Sequence, residues 1–167
     1  MQATAPEVQE LRDTIMGFLA AMNDHDVERT LGFFTADATW RQGSTVAEGH
    51  TAIRELLESQ WRSTSDMHLP LDDVEFFVSA DGDNVATFWR ATATMTGPFE
   101  GFAPTGRRAE FRGACHYRLE DGKIASHTVI YDDMDIARQF GLMPETDSRQ
   151  YRMMAGMQRF TQRLRRR

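Results

Sequence analysis

Hydrophobic residues in this chain follow two different periods, and the change between them at Pro70 constrains the fold more than any other feature. Before it, Val8, Leu11, Ile15, Phe18, Leu19 and Met22 fall on one face of a helix of about four turns, which stops at the polar run Asn23-Asp24-His25-Asp26. Asp26 then caps a shorter helix carrying Val27, Leu31, Phe33 and Phe34, and Thr35-Ala36-Asp37 turns the chain into a strand over residues 38–41. Gly49-His50 opens a third helix over residues 51–59, with Ile53, Leu56, Leu57 and Trp61 as its apolar stripe. After Pro70 the period becomes two. Residues 74–79, 85–95, 109–119 and 124–132 read as strands, separated by Asp81-Gly82-Asp83-Asn84, by a stretch from Gly97-Pro98 to Gly106, and by Glu120-Asp121-Gly122-Lys123. Helices first and a meander afterwards predict an α+β fold, with a curved antiparallel sheet wrapped around the amino-terminal helices, and argue against a wound parallel sheet.

Composition narrows the class. At 167 residues and 41% hydrophobic, the chain has material for one compact domain, expected over residues 1–144. A net charge of −6 argues against nucleic acid as a partner, since a phosphate binder needs a basic face. No apolar run approaches the roughly 18 residues of a membrane span, and the first nine residues lack the pattern of a secretory leader, so the expected location is cytoplasmic. The lone Cys115 excludes an internal disulfide and a cysteine zinc cage, and no paired histidine spacing suggests a metal. Residues 145–167 differ from the rest: seven arginines and two acids make this tail +5, against −11 for the preceding 144 residues. Tyr151, Met154, Met157 and Phe160 recur at helical spacing, so the tail reads as a basic helix. It serves either as a solubilising end or as an arm on a partner subunit or on the acidic body, with Arg163 to Arg167 fraying into solvent.

One block of residues carries a resemblance. Gly101-Phe102-Ala103-Pro104-Thr105-Gly106-Arg107, Phe111-Arg112-Gly113, Tyr117-Arg118-Leu119-Glu120-Asp121-Gly122-Lys123-Ile124, then His127, Asp132 and Gln139-Phe140-Gly141-Leu142 resemble, in order and spacing, the SnoaL-like polyketide (ester) cyclases. The match spans about 40 residues without gaps. It is weaker in the amino-terminal half, at Phe33 to Asp37 and Gly49-His50. The resemblance implies the cone of the nuclear transport factor 2-like superfamily, a curved sheet around helices with a pocket at one end. It also implies an enzyme with no cofactor, a small hydrophobic carbonyl substrate, polycyclic compounds included, and a homodimer formed through the outer face of the sheet. By position, Asp132 corresponds to the family's catalytic acid/base. Two departures stand out: Thr128 where many members have tryptophan, and Asp135 where glycine is common.

Alternation along a strand puts Thr128, Ile130 and Asp132 on one side and His127, Val129 and Tyr131 on the other. If Ile130 faces the pocket, Asp132 does too, His127 is structural, and Val129 and Tyr131 belong to the dimer contact. Asp133 competes with Asp132, and either residue has the alternative role of capping the helix that runs through Gln139. His116, with Arg118 or Arg112, is a candidate to orient a substrate carbonyl or an enolate oxygen, and Trp40 and Trp89 are candidates for the pocket wall. The expected activity is deprotonation beside a carbonyl followed by intramolecular aldol closure. Isomerisation, dehydration and epoxide opening are lesser options, and a non-catalytic binding or interaction module of the same fold is the rival.

Overall fold

The computed structural model describes residues 4–99 and 101–165, the last three of these by backbone alone. Helix α1 (Ala5–Asn23) begins where the Thr4 amide donates to Glu7 Oε2 at 2.7 Å, and it buries Ile15, Phe18, Leu19 and Ala21. Helix α2 (Val27–Gly32) is capped by Asp26, whose carboxylate accepts from the Arg29 amide at 3.0 Å. Its expected last turn is missing. Gly32 ends it, and Phe34 opens strand β1 (Phe34–Gln42), because a weak helix former followed by Phe-Phe-Thr favours extended backbone. A hairpin through Gly43, at φ +56°, leads to a short strand β2 (Thr45–Glu48) that was not anticipated from the sequence, and then to helix α3 (Gly49–Ser63). After a 3₁₀ turn at Leu71–Asp73 come β3 (Glu75–Val78), β4 (Asn84–Thr94), β5 (Arg108–Glu120) and β6 (Lys123–Tyr131). Helices α4 (Asp133–Gln139) and α5 (Arg149–Arg165) follow.

All six strands form one curved, unclosed sheet in the order β2-β1-β6-β5-β4-β3. The meander from β3 to β6 is antiparallel, as the hairpin signals require, but β1 pairs with β6 in parallel. No hairpin links that pair. The long excursion through α3 and the meander lets β6 return in the same direction as β1, which a parallel pair needs. Side chains then sort by face. Phe34, Ala38, Trp40, Val85, Trp89, Ala91, Cys115, Tyr117, Leu119, Ile124 and Val129 join Ile15, Phe18, Leu19, Ile53, Leu57 and Trp61 in a core between the sheet and the first three helices. A second cluster, Ala93, Met95, Ala109, Ile136 and Phe140, closes the end against which α4 packs. Gly113 leaves room for Trp89, since a Cβ there would lie 2.4 Å from the Trp89 ring and 2.9 Å from the Ile130 carbonyl oxygen.

Among the described side chains of α5, only Tyr151 and Ala155 are half-buried, while Met153, Met154, Met157 and Phe160 face solvent. The arginine run that the sequence leads one to expect to fray, residues 163–167, lies outside the described side chains. Among the described residues, no helix is long and apolar enough to cross a membrane.

Candidate active site

The site that the sequence points to lies where β6 ends. Asp132 is the N-cap of α4: its Oδ1 accepts the Asp135 amide hydrogen at 2.9 Å and the side chain is exposed. This is the capping geometry that a carboxylate offers a helix start, where orphan amides and the helix dipole both favour an anion. Asp133, one residue on, lines a groove of about 280 Å³ together with Arg41, Gln42, Gly43, Thr128, Val129, Ile130 and Tyr131. The groove sits beyond the last β1–β6 rung, Gln42↔Val129, so residues from both faces of the sheet reach it.

The face assignment reverses the expectation. Ile130 is 62% exposed on the outer surface and Thr128 is half-buried there, whereas His127 and Val129 are buried inside and Tyr131 is half-buried with them. Cross-strand register explains this. Tyr117 pairs with His127 and Cys115 with Val129, which puts β6's odd-numbered residues on the same inner face as the apolar set of β5. Val129 and Tyr131 are therefore not on the outer face on which the dimer contact was expected, and Asp132 gains no burial from sharing a side with Ile130.

The other candidates divide between the two surfaces. His116 is exposed on the outer face, where its Nε2 lies 3.1 Å from Asn84 Oδ1, and Arg118 beside it pairs with Glu120. Arg112 is exposed on the same face, bordering a second groove of about 510 Å³ lined by Asp73, Glu75, Phe88, Trp89, Arg90 and Gly113. Trp40 and Trp89 are buried inside, and Trp89 Nε1 donates to Cys115 Sγ at 3.1 Å. Thus Thr128 and Ile130 share a groove with Asp133, Trp40 and Trp89 share the interior, and His116 and Arg118 are neighbours on the outside, remote from the cone's contents.

Gln42 and Gln60, at the top of the interior, escaped the sequence reading, and Tyr131, which they join, was read there only as a dimer contact. Gln60 Nε2 donates to Gln42 Oε1 at 2.7 Å, and Gln42 Nε2 donates to the Tyr131 hydroxyl at 2.6 Å, a chain of half-buried groups linking α3, β1 and β6. Gln42 and Tyr131 also line the groove, so this chain stands between the opening and the core. Trp89, Phe111 and Tyr131 follow in edge or tilted contacts with centroids 6.0 and 6.2 Å apart. Deeper inside, burial pushes the Cys115 thiol up to about 11 and the Tyr117 hydroxyl well above its ordinary value, so both stay protonated at neutral pH and Cys115 is no thiolate nucleophile. Burial takes the His127 imidazole down to about 3, which leaves it uncharged.

Solved structures with this arrangement are numerous. A candidate SnoaL-like polyketide cyclase from Jannaschia sp. CCS1 is 18% identical with a TM-score of 0.75, over 86% of this chain and 100% of its own. A candidate polyketide cyclase from Xanthomonas campestris gives 18% identity and a TM-score of 0.75 over 80% and 98% of the two chains. IdmH, a candidate polyketide cyclase from Streptomyces antibioticus, gives 26% and 0.65 over 78% and 98%. No curated protein matches the chain. The family model of the SnoaL-like polyketide cyclases matches residues 13–140, and with its cone and helix order in place the chain belongs to that family.

Proposed function

We propose that this protein is a cofactor-independent enzyme of the cyclase type, acting on a small apolar carbonyl compound that enters at the β1–β6 groove. A carboxylate at the groove's edge would remove a proton from the carbon beside a carbonyl. The enolate carbon would then bond to a second carbonyl carbon of the same molecule, and the resulting alkoxide would take the proton back. Asp132, in the family's acid/base position, is the proposed base, and Asp133 is its competitor. The observation that carries the reading is the groove itself: an opening of about 280 Å³ that has Asp133 in its lining, Asp132 adjoining, and the Gln42–Tyr131 pair on its inner side.

One observation favours a second reading, a non-catalytic ligand-binding module. Asp132 is exposed and its Oδ1 already holds the Asp135 amide, so its carboxylate is engaged as a helix cap and is not enclosed in a pocket. Asp132→Asn and Asp133→Asn, assayed separately on a panel of polycyclic keto-esters, decide between the two. A general base should lose roughly 10²- to 10⁴-fold in rate on amide replacement with binding little changed. Loss in Asp132→Asn alone supports the family assignment, and loss in Asp133→Asn alone moves the base one residue on. Wild-type rates in both leave the binding module. The proposed homodimer keeps the outer sheet face, with the exposed Phe77, Phe88 and Ile130 as contacts in place of Val129 and Tyr131. Sedimentation as a monomer at micromolar concentration would remove it.

A further inference from the structure

Arg29, Arg54, Arg90, Arg108 and Arg118 each spend their charge on an acid. Arg41 does not. It lines the β1–β6 groove together with Asp133, and among the described residues no ion pair or side-chain hydrogen bond engages either of the two. Strand pairing accounts for the free guanidinium: Arg41 stands opposite Val46 on β2 and Thr128 on β6, and neither is an acid. Asp133 arrives from the other end of the chain. Its Oδ2 lies 3.5 Å from the point where a Cβ on Gly43 would stand, so the carboxylate rests against the β1–β2 turn, two residues beyond Arg41. A cation and a carboxylate therefore share one groove of about 280 Å³ without pairing, and Thr128 lines it as well.

Deprotonation beside a carbonyl moves negative charge from one place to another. The C–H electron pair becomes the C=C bond, the carbonyl π pair moves onto oxygen, and the carboxylate that takes the proton becomes neutral. A groove that starts with one charge of each sign then holds a guanidinium whose counter-charge is the new oxyanion. Because no acid of the protein neutralises Arg41 beforehand, its attraction for that oxygen is stronger after proton transfer than for the neutral ketone, which is the condition for lowering the barrier. Arg112, Arg118 and His116, the residues that the sequence nominated for this oxygen, are absent from the lining of the groove. Arg118 is already paired with Glu120, and His116 meets Asn84.

We infer that Arg41 is a catalytic residue of the groove, holding the enolate oxygen that forms when a neighbouring carboxylate takes the substrate's proton. This rests on the reading that the carbonyl compound reacts at the groove. When the enolate carbon bonds to the second carbonyl carbon, the charge passes to the new alkoxide, which takes the proton back from the carboxyl group and leaves Arg41 free again. A guanidinium presents its N–H donors as a planar fork, and the two oxygens of a 1,3-dicarbonyl enolate match that fork, whereas a lysine would meet them as a point charge.

The test uses 5,5-dimethylcyclohexane-1,3-dione, which is largely an enolate at neutral pH, and its methyl enol ether, the same ring without the charge. Both are titrated into the full chain and followed by the amide NMR shifts of Gly43, Thr128 and Ile130. Wild type is expected to bind the enolate at least about tenfold more tightly than the ether, with the shifts centred on those residues. Arg41→Gln is expected to lose that preference with its affinity for the ether unchanged, and Arg41→Lys, which keeps the charge but not the fork, to retain part of it. Arg112→Gln should match wild type. A wild type without the preference, an Arg41→Gln that keeps it, or its loss in Arg112→Gln overturns the inference. Arg41 is exposed, so its replacement leaves the core intact. Turnover by the aspartate variants is a separate readout: silent aspartates beside an intact enolate preference defeat the cyclase reading alone, and active aspartates without the preference defeat the role of Arg41 alone.

Discussion

Acid should destabilise this fold in part through one buried imidazole, His127. An imidazole in an unfolded chain takes up its proton near 6.5, whereas His127 in the folded state does so only at about 3, because burial disfavours the charged ring. Between those values the unfolded state binds a proton that the folded state does not, so stability falls as pH falls below about 6.5 and stops falling through this group near 3. At pH 5 the loss is about 1.5 units of 1.36 kcal/mol, or roughly 2 kcal/mol, relative to neutral pH. The assay is urea unfolding of wild type and His127→Phe at pH 7 and pH 5. The Phe variant has nothing to protonate there, so its pH 5 penalty should be smaller by about 2 kcal/mol, or on the order of 1 M in midpoint for a typical urea slope. Carboxylates held low by hydrogen bonds, such as Asp66 and Asp81, are common to both proteins and cancel. A difference below about 0.5 kcal/mol would refute the burial of an uncharged His127, since a hydrated ring carries no such penalty.

Other perturbations separate cap, packing and tail. Asp132→Ala removes the bond to the Asp135 amide and should cost about 0.5–2 kcal/mol by urea midpoint, while Asp132→Asn, a fellow capping residue, should cost far less; equal losses would show that the cap is not formed in solution. Gly113→Ala places a Cβ against the Trp89 ring and the Ile130 carbonyl, and should cost about 1–3 kcal/mol with a blue-shifted or broadened tryptophan emission; a neutral result would mean that β5 shifts freely past Trp89. Met157→Gln with Phe160→Gln should leave the melting temperature within a degree or two, because both side chains are 65% exposed; a drop of many degrees would show the stripe to be covered.

Most of the fold was legible because its signals are local. Helical spacing in α1 and α3, Asp26 as a cap, and the Asp-Gly turns of the meander depend on neighbours a few residues apart. The elements that were missed depend on distant partners. Strand β2 is four residues long and exists because β1 offers it a hairpin through Gly43, and the parallel sense of β1 against β6 is decided by a connection of some eighty residues that leaves no local mark.

The site was less legible, and the reason lies in a single strand. Period two in β6 says that Thr128 and Ile130 share a face and that His127, Val129 and Tyr131 share the other, but not which face is inside. Read alone, the second half of β6 misleads, since the aliphatic Ile130 is outside and the imidazole of His127 is inside. The decision belongs to the pair, and a bulge hides it: counting back through the turn at Asp121-Gly122 from Glu120↔Lys123 and Leu119↔Ile124 would set Tyr117 opposite Ser126, but the register slips by one between Arg118 and Leu119 and puts Tyr117 opposite His127 and Cys115 opposite Val129. That slip is what turns His127 inward. It does not settle Asp132, because alternation ends with the strand at Tyr131 and the next residue already obeys the geometry of a helix cap. A carboxylate at such a junction answers to the helix it starts: Oδ1 holds the cap, and Oδ2 is the oxygen left to serve a substrate while α4 stays capped. Asp132→Ala stability measured alongside Asp132→Asn turnover therefore bears on one carboxylate in both of its roles.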